Sequence, residues 1–263
     1  MDLDLIGKRF LVAASSRGLG FGIAQALAAE GASVALGARE EASLRAAAAT
    51  LAGTSTGSIT QHPLDAADAT SITAWVDACA EDLGGIDGLV VNAGGPPPGR
   101  FDDFDDAAWA AAFELTLMSA VRLIRAVLPT LRAQRGGSIL TVTSTSIKEP
   151  IDDLLLSNVF RSGVVSLVKS LSRDLAPDGI RVNNLVPGRI DTDRVRSLDE
   201  AAAPRSGISI EEQVARSAAA IPLGRYGTIE EFGRAGAFLL SPAAAYLTGT
   251  TLLVDGGATR TIW

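Results

Sequence analysis

The chain has 263 residues, with 23 lysines and arginines against 30 aspartates and glutamates, for a formal charge of -7. That length fits one medium-sized domain with ample interior and leaves no room for a second full one. An acidic balance without blocks of like charge excludes a nucleic-acid surface, which needs clustered Lys and Arg, and points instead to small molecules or further copies of the chain as partners.

The lone cysteine, Cys79, rules out an intrachain disulfide and suits a reducing compartment. No stretch approaches the ~20 apolar residues of a membrane helix, and the opening "MDLDLIGKRF" is acidic where a secretory leader is basic. The expectation is a soluble, untargeted protein of the cytoplasm.

In chain order, short apolar runs alternate with amphipathic stretches. The runs are Arg9 to Ala14, Ser33 to Ala38, Ser58 to Leu64, Asp87 to Ala93, Ser138 to Ser144, Ile180 to Val186 and Thr251 to Gly256. Several are apolar on successive residues, as expected of strands covered on both faces. The intervening helical patterns end on stop signals at Gly31, Gly84, Gly85, Gly136, Gly137 and Gly179. Repeated strand, helix, strand predicts an α/β fold: one Rossmann-like domain over residues 1–263, a doubly wound parallel sheet of about seven strands with helices on both faces. Ligands of such sheets bind beyond the carboxyl ends of the strands. "GGPPPGRF" (Gly94 to Phe101) reads as a rigid loop, and residues 191–221, where Arg194, Arg196 and Arg205 mix with acids, read as a mobile lid over the cleft.

The first strand runs into "AASSRGLGFG", with a helix from about Leu19. Gly18, Gly20 and Gly22 let the backbone approach a pyrophosphate at a helix N-terminus, where free N–H groups and the helix dipole favour anions. Close helix-to-strand packing is the competing explanation of these glycines.

With these motifs in order, the chain resembles single-domain short-chain dehydrogenases/reductases, most of all those that reduce β-ketoacyl groups on a carrier protein. The family's Thr-Gly-x-x-x-Gly-x-Gly loop falls on Ala13, Ala14, Ser15, Ser16, Arg17, Gly18, Leu19 and Gly20. Its first glycine is replaced by Ala14, which is expected to tighten or shift the turn, since a Cβ disfavours positive φ. Asn92, Ala93 and Gly94 match the family's Asn-Ala-Gly, Asp65 its acidic residue near the adenine, and Pro187, Gly188 and Ile190 its segment at the nicotinamide end. An acid closing the second strand would bind a ribose 2'-OH, but Ala38 stands there and Arg39 follows. Arg39 and Arg17 favour NADP(H) over NAD(H), two guanidinium groups forming a natural phosphate clamp. Arg39 as the start of a solvated helix is the alternative.

The resemblance breaks at the catalytic positions. The family's Asn, Ser, Tyr and Lys fall on Thr116, Ser144, Ser157 and Arg161. A phenol starts near pKa ~10 and is tunable, whereas a serine hydroxyl is a far weaker acid and a poor proton relay. Arg161, one helical turn from Ser157, keeps its charge and cannot shuttle protons, but it can bind ribose hydroxyls, a carboxylate or a developing oxyanion. Lys148 or a bound water is the candidate proton source. Tyr226, read as part of a lid helix, Tyr246 in a turn before the last strand, and His62 near the adenine side are poor substitutes.

The expected function is therefore an NADP(H)-dependent reductase of a carbonyl compound, 3-oxoacyl compounds among the candidates, with an atypical site. The alternative is a nucleotide-binding protein of the same fold with little or no dehydrogenase activity. Leu154, Leu155 and Leu156 and the triple proline suggest a largely apolar substrate. No metal is expected. Broad apolar faces on the helical patterns from Ala107 to Leu131 and Ser157 to Leu175, which the family pairs between subunits, predict a homotetramer or dimer.

Overall fold

The structure, a computed structural model, describes residues 2–262. Its strands are β1 (Arg9–Ala13), β2 (Ser33–Ala38), β3 (Ile59–Pro63), β4 (Gly88–Val91), β5 (Gly137–Val142), β6 (Ile180–Pro187) and β7 (Thr251–Val254). They form one sheet in the order β3-β2-β1-β4-β5-β6-β7, and every neighbouring pair is parallel. The helices are α1 (Gly18–Ala29), α2 (Glu41–Ala52), α3 (Ala69–Leu83), α4 (Asp106–Phe113), α5 (Ser119–Ala133), α6 (Leu155–Asp174), α7 (Asp193–Ser206), α8 (Ile210–Ala219) and α9 (Ile229–Leu240).

The continuous apolar runs are explained by two separate cores. Phe10 and Val12 of β1 join Ile23 and Leu27 of α1 and Phe232 of α9 on one face. Leu11 and Ala13 join Trp75 of α3, Leu123 and Val127 of α5 and Val168 of α6 on the other. Successive β1 side chains point to opposite faces, so each must be apolar. On the first face α1 and α9 touch through backbone: a Cβ on Gly233 would run into the Gly22 carbonyl. These glycines let the helix that ends the glycine loop lie deep against the sheet.

The order in which strands are added reverses between β1 and β4, with β2 and β3 on one side and β5, β6 and β7 on the other. A cleft opens at this switch point beyond the carboxyl ends. Most of the expected strands overran there, because Ala14, Asn92, Ala93, Thr143 and Ser144 leave the ladder to form the cleft wall. The long helical pattern from Ala107 is also interrupted. α4 passes into α5 through a π-helical turn, Glu114–Met118, which carries Thr116. Among the described residues no helix is long and apolar enough to cross a membrane.

Candidate active site

The glycine loop keeps its turn without the first glycine. Ala14 takes up the left-handed conformation itself, with φ +49°. Its carbonyl accepts from Asn92 Nδ2 at 3.2 Å, and a Cβ on Gly20 would collide with the same carbonyl. The expected shift of the turn is thus replaced by local strain at one residue. Ser15, beside it, is fully buried; its Oγ donates to the Val12 carbonyl at 2.7 Å and accepts from Gly37 N at 3.1 Å, tying the loop to β2. Nothing in the sequence marked Ser15 apart from Ser16, which is partly exposed.

Arg17 occupies the N-cap position of α1 and makes no capping bond, so the first-turn amides of Gly18, Leu19 and Gly20 face the cleft without a side-chain acceptor. This uncapped end fits the anionic middle of a dinucleotide. Arg39 and Asp65 are exposed on the β2–β3 side; the Asp65 carboxylate accepts from Ala67 N at 3.0 Å. Arg17 bridges to Asp193 at 3.4 Å across the glycine loop, both side chains well exposed. Gly188 is pressed against Asp255, Ile190 is buried in the core with only 3 % exposure, and Thr192 caps α7 by accepting from Val195 N.

At the carboxyl end of β5, Ser144 caps a short turn, its Oγ accepting from Ser146 N at 3.2 Å. Ser157 and Arg161 share a face of α6. Arg161 Nε donates to Ser157 Oγ at 3.1 Å and Nη1 to the Val142 carbonyl at 3.1 Å. Burial, reinforced by the neighbouring Arg194, pushes the Arg161 guanidinium down to about 10. It is therefore still a cation at neutral pH. Thr116 Oγ1 is buried without a hydrogen-bond partner and shares with Arg161 and Gly94 the lining of a small cavity of about 10 Å³. Lys148 is half-buried at the end of the turn that Ser144 opens. Thr116 and Arg161 line one small cavity, Ser157 touches Arg161, and Ser144 lies two residues beyond Val142, whose carbonyl Arg161 binds.

Two expectations are corrected. Tyr226 lies in the loop between α8 and α9, not in a helix, and is committed elsewhere: its hydroxyl donates to Asp199 Oδ2 at 2.8 Å and accepts from Arg189 at 3.2 Å. Burial raises its pKa, so it is no acid for the cleft. Leu156 is a core residue with no exposed surface, which leaves Leu154 and Leu155 as the partly exposed pair. The segment 191–221 is held at several points. Arg189 reaches buried Asp199 at 2.6 Å, Arg205 reaches Asp153 at 2.6 Å, and Arg194 donates to the Pro96 carbonyl at 3.0 Å. The Asp199 network was invisible in the sequence, since its members are ten and 27 positions apart with no motif joining them.

A parallel sheet with an uncapped glycine-loop helix at its switch point, and an arginine on α6 bound to the end of β5, makes a dinucleotide-type cleft. The chain belongs to the short-chain dehydrogenase/reductase family, its residues 13–259 matching the family model described as enoyl-(acyl carrier protein) reductase. It is 34% identical over 257 residues to the 3-oxoacyl-acyl-carrier-protein reductase FabG of Vibrio cholerae, covering 97% of this chain and 98% of that one. Among solved structures, L-sorbose reductase from Gluconobacter frateurii complexed with NADPH and L-sorbose matches with a TM-score of 0.94 and 31% identity over 100% of both chains. An NADPH-bound short chain oxidoreductase from Pseudomonas aeruginosa PAO1, described as containing an atypical catalytic center, matches with a TM-score of 0.87 and 33% identity over 97% and 98% of the two chains.

Proposed function

We propose that the chain is a cytoplasmic, NADP(H)-dependent carbonyl reductase whose site works with Ser144, Arg161, Ser157 and Thr116 in place of the usual tetrad. The observation that carries this reading is Arg161: a cation at the end of the cleft, fixed by two hydrogen bonds to uncharged acceptors. The uncapped start of α1, with Ala14, Ser16, Gly18, Leu19 and Gly20, holds the pyrophosphate. Arg17 and Arg39 take the 2'-phosphate, Asp65 the adenine side, and Asn92, Ala93, Gly94, Pro187, Gly188 and Ile190 frame the nicotinamide half. When bound, the reduced nicotinamide supplies a hydride to the carbonyl carbon. Ser144 holds the carbonyl oxygen, and Arg161 stabilises the negative charge that develops on it. Lys148, directly or through a water held by Ser144 and Ser157, delivers the proton to that oxygen. The segment 191–221 acts as the lid. Phe113 and Val159, 38 % and 44 % exposed on α4 and α6, support pairing of these helices in a homotetramer or dimer.

Titration with NADPH and NADH, read by nucleotide fluorescence, tests the cofactor assignment. NADPH is expected to bind more tightly, and Arg39→Asp to cost about tenfold to a hundredfold in NADPH affinity. Equal affinities for the two cofactors would remove the phosphate-clamp reading. Acetoacetyl-N-acetylcysteamine is the first substrate probe, because named relatives are 3-oxoacyl reductases. Tight NADPH binding with no turnover of any carbonyl probe would favour the nucleotide-binding alternative, which the engagement of Ser157 Oγ by Arg161 supports.

A further inference from the structure

Elsewhere in the molecule Arg9, Arg189, Arg196 and Arg225 each meet a carboxylate at 2.6–2.9 Å, and Arg181 spends both terminal nitrogens on four main-chain carbonyls. Arg161 does neither. Its partners are a hydroxyl and a carbonyl, which leave N–H donors of the guanidinium unspent. Arg194 is a second arginine bound only to a carbonyl, that of Pro96, and its Nη2 would lie 3.3 Å from a Cβ on Gly95. The two cations are close. Gly94 lines the Arg161 cavity and Gly95 and Pro96 carry Arg194, so three consecutive residues separate them. Burial first, and the Arg194 charge second, lower the hold of Arg161 on its proton. Thr116 Oγ1, in a residue only 6 % exposed, adds an unpartnered polar atom to the same cavity.

Two like charges side by side, Arg161 half-buried and Arg194 exposed, repel each other, and an anion between them relieves that repulsion. Ribose hydroxyls at the nicotinamide end are neutral and would leave this charge uncompensated. We propose that the substrate is a carbonyl compound carrying its own carboxylate, and that Arg194 takes that carboxylate, with Arg161 between it and the carbonyl that Ser144 holds. The proposal rests on the reductase reading. Ser144 lies two residues beyond Val142, whose carbonyl fixes Arg161, a distance of about 6 to 7 Å along extended chain. That span suits a carboxylate a few bonds from the carbonyl, as in 2-oxo to 4-oxo acids, with the partly exposed Leu154 and Leu155 left to an apolar body. The planar guanidinium fork matches a carboxylate bidentately. Because Arg194 sits on α7, acid binding and closure of the 191–221 segment are one event.

The experiment compares matched pairs, 2-oxopentanoate and 4-oxopentanoate against their methyl esters, as ligands of the NADP-loaded protein in calorimetry and as substrates with NADPH. NADPH affinity is measured alongside, in the parent and in Arg194→Ala and Arg194→Lys. Arg194 is exposed, so these variants should fold, and thermal melting checks it. The acid is expected to bind about tenfold or more tightly than its ester in the parent. In Arg194→Ala that preference should largely disappear, with NADPH affinity within twofold of the parent, and Arg194→Lys should restore part of it. Equal binding of acid and ester by the parent overturns the proposal and leaves the reductase reading standing. So does an Arg194→Ala variant that loses NADPH affinity tenfold but keeps its acid preference, since Arg194 would then serve the cofactor pyrophosphate. Failure of the parent to bind NADPH at all would defeat the reductase reading and this proposal with it.

Discussion

At the glycine-loop end of the cleft the polar side chains satisfy one another. Ser15 bonds Val12 and Gly37, and Asn92 bonds Ala14. At the other end, Arg161 and Arg194 have only neutral acceptors and Thr116 Oγ1 has none. The first end ties its buried side chains to the backbone, leaves only the α1 amides open to a ligand, and owes its shape to backbone geometry. The second is electrostatically unfinished, so its residues answer to what binds there and not to the fold.

The largest expected effect comes from rebuilding the unfinished end. Ser157→Tyr with Arg161→Lys places a phenol and an ammonium on the same face of α6, one turn apart. If the pocket accepts the ring, reduction of a simple diketone with NADPH should rise ~100-fold over the parent, the usual worth of a positioned acid. The pH profiles should differ as well. The variant needs its phenol protonated, so its rate should fall as pH rises through the phenol's pKa. Arg161 stays charged up to about 10, so any step that depends on its charge should be insensitive to pH below that value. A parent that already turns over well and loses that activity on Ser157→Ala would show the serine to be essential and the comparison misdrawn.

Next in size is the buried network under α7. Asp199 is 1% exposed and holds both Arg189 and the Tyr226 hydroxyl. Asp199→Ala removes the carboxylate and leaves Arg189 and Tyr226 facing an empty acceptor position. The cost should be about 2 to 3 kcal/mol, below the full figure for a buried pair because Arg189 is 36% exposed. Arg205→Ala, which breaks the exposed contact with Asp153, should cost less than ~1 kcal/mol. Urea unfolding of the two variants checks the contrast; equal losses would mean that α7 is held by its surface and not by Asp199.

What the sequence disclosed follows the same division. The seven strands and the doubly wound order were legible because two-sided burial forces continuous apolar runs, as Phe10 to Ala13 illustrate. The positions of Ser144, Ser157 and Arg161 were legible because one strand end and one helical turn fix them locally. Helix-forming residues around Thr116 hid the π-helical turn, since its sequence reads as uninterrupted helix on either side. The Arg189, Asp199 and Tyr226 cluster and the approach of Arg194 to Arg161 depend on loops returning from distant parts of the chain, and no periodicity records such contacts.

The smallest expected effect probes the finished end. Ala14 holds φ +49° where the family carries glycine, and a Cβ in that region costs roughly 1 kcal/mol. Ala14→Gly relieves that strain and offsets part of the gain by loosening the unfolded chain. The net should be a stabilisation of up to ~1 kcal/mol, or a rise in melting temperature of about 2 to 4 °C for a chain of this size. NADPH affinity should change little, because the Ala14 carbonyl keeps its bond from Asn92 and the α1 amides keep their places. Gly20→Ala, six residues on, is the control: its Cβ meets the Ala14 carbonyl and should destabilise. A lower melting temperature for Ala14→Gly would mean that the alanine methyl packs usefully in the cleft wall, and that this end of the site has been tuned away from the family's turn instead of merely tolerating the change.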